Sequence, residues 1–98
     1  MDEDVRAALT DLRSRIQAER AAIADLAASL TQQPMRDFLQ QASNHADDAE
    51  GILIGVDKSF TPWVLIGGAR TLLGLAMQHR QRVEQYRKTY GPDVTLVG

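Results

Sequence analysis

The strongest constraint in this chain is a seam of apolar residues near its start. Val5, Leu9, Leu12 and Ile16 are followed by Glu19 and then by Ile23, Leu26 and Leu30, at alternating spacings of four and three residues. That spacing keeps one stripe of an α-helix turned toward a partner helix, and no strand pattern reproduces it. Asp2, Glu3 and Asp4 place negative charge where a helix N-terminus favours it, and neither Gly nor Pro intervenes before Thr31. The pattern predicts a first helix over about residues 3–30.

Thr31-Gln32-Gln33 leads into Pro34, a residue suited to the first position of a helix because its φ is already set and its missing N–H is not needed there. A second seam follows, through Met35, Phe38, Ala42, His45, Ala49 and Ile52. Two amphipathic helices joined by so short a loop predict an antiparallel helical hairpin. The second helix is expected over about 34–56. The run Gly51-Ile-Leu-Ile-Gly-Val56 and its echo Val64-Leu-Ile-Gly67 also admit a β-hairpin across residues 51–67.

Thr61-Pro62 is a start signal and Tyr90-Gly91-Pro92 a stop signal, so a third helix is predicted over about 62–90, with a tail at 91–98 that suits a short edge strand or none. The apolar residues in the first half of this helix fill an arc of about 220°, whereas a surface helix needs little more than about 100°. Its other side carries Gly67, Thr71, Gly74 and Gln78, a stripe of small residues that another backbone can approach. The fold expected is therefore all-α: a hairpin plus a long third helix, assembling into an oligomeric bundle.

Composition agrees. The 98 residues fit one domain, 1–98; 44% are hydrophobic and 24% charged, which excludes a disordered chain, and only 5% are aromatic. With no Cys there is no disulfide framework, thiolate metal site or Cys nucleophile. An acidic N-terminus without an apolar stretch predicts a cytoplasmic setting rather than export, and nine Arg among eleven basic residues suit a bacterial or phage genome. Net charge is −2, with 6 basic against 11 acidic residues before position 59 and 5 against 2 after it.

Two polar residues interrupt the seams. Facing positions in the hairpin sum to about 65, which sets Glu19 opposite His45 as a register-fixing polar pair. The same pair, doubled across a two-fold axis, is an alternative metal site for a helical bundle, although a carboxylate-bridged site wants Glu-x-x-His and the order here is His45-Ala-Asp-Asp48. Between the second and third helices facing positions sum to about 118. Arg70 is then level with Asp48, predicting an ion pair with Asp47 or Asp48, while His79 falls about 9 Å along the axis from His45.

No catalytic residue or cofactor site is expected. Ser14, Ser29, Ser43 and Ser59 lack a nucleophile-elbow context, and Gly67-Gly68-Ala69 lacks the Lys-Ser/Thr of a phosphate loop. Nucleic-acid contact through Arg80, Arg82, Arg87 and Lys88, with Tyr86 and Tyr90, is a further alternative, against which stand Glu84 and the ordinary role of basic residues at a helix C-terminus. Residues 60–77 match the length of a membrane span, but Arg70 near its centre costs about 2.5–3.5 kcal/mol on insertion scales. The function expected is a protein–protein interaction module, an adaptor, regulator or inhibitor that works as a homodimer and on an unidentified protein partner. Its interface is predicted at Phe60, Trp63, Val64, Leu65, Leu72, Leu73 and Ala76, with the two aromatics as anchors.

Overall fold

The computed structural model describes residues 2–31 and 33–90. They form three α-helices, α1 (Glu3–Ala28), α2 (Gln33–Ile54) and α3 (Pro62–Tyr90), with a single 3-10 turn at Val56–Lys58 before α3. Among the described residues there is no strand. Residues 51–67 are thus helix, 3-10 turn and helix rather than a β-hairpin, and the tail at 91–98 lies outside the described residues.

Local chemistry sets each boundary. The Asp2 side chain accepts a hydrogen bond from the Asp4 backbone N–H at 2.9 Å and starts α1. At the other end the Ser29 hydroxyl donates to the Leu26 carbonyl at 2.7 Å, drawing the chain out of the helix two residues before the seam ends at Leu30. The apolar run 52–56 similarly outlasts α2, because after Ile54 the backbone tightens into the 3-10 turn that buries Val56. The Ser59 hydroxyl accepts from the Thr61 N–H at 2.9 Å and leads into Pro62, the first residue of α3.

The molecule measures 48 × 21 × 16 Å, and its interior is divided lengthwise into two apolar clusters. One joins Val5, Leu9, Leu12 and Ile16 of α1 to Ala49 and Leu53 of α2 and to Ile66, Ala69 and Leu73 of α3. The other joins Ile23, Leu26 and Leu30 to Met35, Leu39, Ala42 and Ala46 and to Ala76 and Val83. Late residues of α2 therefore share a core with early residues of α3, so the chain reverses direction between these two helices.

Every seam position read in α1 is buried, Glu19 included. In α2 the buried set is Met35, Leu39, Ala42, Ala46, Ala49 and Leu53, with Phe38, His45 and Ile52 half-buried to one side. Helix α2 lies between two neighbours, and its half-buried residues turn toward α3: the Phe38 and His45 rings contact His79, and the Ile52 side chain lies 3.8 Å from where a Cβ would stand on Gly68. No described helix is long and apolar enough to cross a membrane.

Candidate functional site

Three features of this bundle depart from a plain apolar interior: a polar belt at its middle, a histidine pair on one flank, and exposed apolar residues at one end.

The belt is built around Glu19, which occupies a seam position between Ile16 and Ile23 and so cannot avoid burial. Its carboxylate accepts a hydrogen bond from Nε of Arg80 on α3, and Nη1 of the same guanidinium donates to Glu84, one turn further on, at 2.6 Å. The hydrogen bond to Glu19 raises the pKa of Arg80 and outweighs the opposing effect of burial. On the neighbouring side Arg20 reaches across to α2, with Nη2 at 2.5 Å from Asp47 and 2.9 Å from Glu50, while Gln17 donates to Glu50 at 3.2 Å.

These pairings replace those expected from the sequence. Glu19 binds Arg80 rather than His45, because His45 lies on the α3 flank of α2 and not on the side turned to α1. Arg70 is exposed and Asp48 is exposed, and among the described residues neither forms an ion pair; Asp47 pairs with Arg20 instead. Arg70 falls at about +40° around α3 from Ile66, whereas Gly68 and His79, which meet α2, fall at about 200–220°, so its level along the axis did not bring it to α2. With Glu19 neutralised by Arg80, the carboxylate and imidazole proposed as metal ligands are not together. Among the described residues, no group of three or more His, Asp or Glu side chains is placed to hold a metal ion.

Levels along the helix axes alone do not bring the two histidines together. His45 and His79 have ring centres 5.1 Å apart at a 59° tilt, and Phe38 stacks on His79 at 5.3 Å and 30°. Side chains on a helix lean toward its N-terminus, so on two helices of opposite direction they lean toward each other when their levels are offset in this sense. The axial offset of the backbones is closed by the two side chains.

The basic end of α3 is also largely committed. Arg80 is held by two carboxylates, Tyr86 packs on the second apolar cluster, and Arg87 is half-buried, leaving Arg82 and Lys88 exposed. The side chain of Tyr90 lies outside the described residues.

The exposed apolar residues fall between the end of α2 and the first turn of α3. Phe60 is 104% exposed, Ile54 72%, Val64 69% and Trp63 48%. Phe60 stands in the link before Pro62, where no helix covers it, and Trp63 and Val64 lie on the arc of α3 turned away from α1 and α2. The rest of the interface read from sequence is divided differently. Leu73 and Ala76 are buried inside the chain, and Leu65 and Leu72 pack half-buried against the first cluster. Helices α1 and α2 together cover more of the wide apolar arc than expected, because the small residues Gly68, Ala69 and Ala76 let α3 sit close. What remains open is the N-terminal end of that arc and, at its other end, Met77.

Comparison with family models, with curated proteins and with solved structures returns no match.

Proposed function

We propose that this chain is a helical protein–protein interaction module, a helical hairpin with a third helix, that acts as a homo-oligomer, with a dimer as the basic unit. The observation that carries the reading is the full exposure of Phe60, with Trp63 and Val64 exposed just after it at the start of α3. Together Phe60, Trp63 and Val64 offer apolar surface on the order of 400 Å², the size of the largest patch a monomer usually carries, and such patches commonly meet a partner. Large aromatics of this kind are the usual anchors of an interface.

The glycines of α3 support the same face. A Cβ added at Gly67 or Gly74 would meet nothing within 4 Å, so nothing within the chain requires these residues to be small. A glycine inside a helix costs about 0.5–1 kcal/mol relative to alanine. Close approach of a second helix along the outer side of α3 supplies a reason for them. A standard interface removes about 800 Å² per partner, roughly an eighth of the 6162 Å² surface of this chain.

Size-exclusion chromatography with light scattering over about 1–100 μM tests the proposal. The wild type is expected at twice the chain mass, and the double variant Phe60→Ser/Trp63→Ser at the chain mass with an unchanged helical circular-dichroism spectrum. A wild type that stays monomeric throughout rejects self-association; a double variant that remains dimeric rejects this surface.

A further inference from the structure

From the geometry of the histidine pair we infer a metal site within one chain: His45 and His79 bind a single borderline divalent cation of the Zn²⁺, Ni²⁺ or Cu²⁺ class through their imidazole nitrogens. Three observations carry it.

The first is distance. With metal–nitrogen bonds of about 2.0–2.1 Å and about 1.1 Å from nitrogen to ring centre, two imidazoles at a tetrahedral angle have their centres about 5 Å apart. The ring centres of His45 and His79 are 5.1 Å apart. The ring separation therefore matches that of two imidazoles sharing one cation.

The second is the tautomer of His79. Its Nδ1 lies 2.9 Å from the carbonyl oxygen of Leu75. A carbonyl only accepts, so Nδ1 carries the proton and Nε2 of the neutral ring presents a lone pair. A ligating histidine characteristically donates its other nitrogen to such an acceptor, which fixes the ring and raises its basicity. The third is support: Phe38 stacks on His79 and restricts the ring further, while both histidines are half-buried at the flank of the bundle and so remain open to solvent on one side. Water fills the remaining coordination positions, and soft or borderline metals are preferred over Mg²⁺ or Ca²⁺ because both protein ligands are imidazoles. Bound there, the cation ties α2 to α3.

The test uses the untagged full chain stripped with a chelator. Isothermal titration with Zn²⁺ alone is expected to show one ion per chain, and saturating Zn²⁺ is expected to raise the melting temperature by on the order of 10 °C when the metal is a hundredfold above its dissociation constant. His45→Gln and His79→Gln are each expected to weaken Zn²⁺ binding at least tenfold, and Glu19→Gln to leave it within twofold. Cu²⁺ bound to the wild type is expected to give an electron paramagnetic resonance spectrum split by two imidazole nitrogens, a readout that does not depend on the folding of any variant. Absence of heat and of a melting shift, a one-nitrogen or nitrogen-free copper spectrum, or loss of binding in Glu19→Gln equal to that in His79→Gln overturns the assignment.

Discussion

Replacing Arg80 by Met should destabilise the bundle far more than replacing Glu19 by Met, although the two residues belong to one ion pair. Without Arg80, the Glu19 carboxylate is left 5% exposed among Ile16, Ile23 and their neighbours with its charge uncompensated. Removing one partner of a buried pair typically costs about 3–5 kcal/mol for this reason. Without Glu19, by contrast, the Arg80 side chain is 15% exposed and keeps Glu84 at 2.6 Å, so its charge remains paired and can move toward water. That loss should be about 1–2 kcal/mol. In the double variant both charges are gone and two thioethers of suitable volume take their place, which should bring stability back to within about 1 kcal/mol of the wild type. Urea unfolding followed by circular dichroism reads all three. At an m-value of about 1.5 kcal/mol/M, Arg80→Met should lower the midpoint by roughly 2–3 M and Glu19→Met by about 1 M, with the double variant near the wild type. The reasoning fails if the two single variants lose the same amount, or if the double variant loses the sum of both, since either result means that Glu19 is not a buried charge dependent on Arg80.

Other substitutions probe the remaining parts of the fold. Ile66→Ala removes a fully buried side chain from the first cluster, and Leu39→Ala one from the second; each should cost about 2–5 kcal/mol in chemical unfolding. Gly67→Ala fills open space on α3 and should raise monomer stability by about 0.5–1 kcal/mol when measured in a Phe60→Ser/Trp63→Ser background. Gly74→Gln should leave the helical content unchanged but shift the light-scattering mass of the otherwise wild-type chain toward the monomer. Trp63 fluorescence should move to shorter wavelength as protein concentration rises, and stay constant if this side chain remains in water at all concentrations.

Much of the architecture was legible in spacing alone, and the reasons for the exceptions are specific. Helix α1 packs along a single stripe, so its seam from Val5 to Leu30 reads directly as buried residues. Helix α2 serves two neighbours, and a pattern of threes and fours that assumes one partner slides by a residue: it centres the stripe on Phe38, His45 and Ile52, whereas Leu39, Ala46 and Leu53 hold it. That single displacement undid the Glu19–His45 pairing. The His45–His79 contact was hidden for a different reason, since levels along an axis place Cα atoms and not the tips of inclined side chains. Glu19 as an interrupting charge was visible from its seam position, whereas its partner depended on how α3 docks, which no local pattern encodes. Of the residues assigned to an interface, Phe60, Trp63 and Val64 are exposed while Leu73 and Ala76 are buried within the chain, because helical arc width says how much surface is apolar and not how much of it the rest of the chain covers.

The polar belt also bears on how the bundle comes apart. Because Glu19 and Arg80, with Arg20, Asp47 and Glu50 alongside, stand where the two apolar clusters meet, contacts between those clusters are interrupted by groups that water can solvate once either side loosens. Each half can then open with a free energy of its own, and amide exchange should resolve into two sets of protected residues, one centred on Leu12, Leu53 and Ile66 and the other on Leu26, Leu39 and Ala76. A rod 48 Å long behaves in that case as two short cooperative segments in series, able to give way at one end while the other keeps its shape.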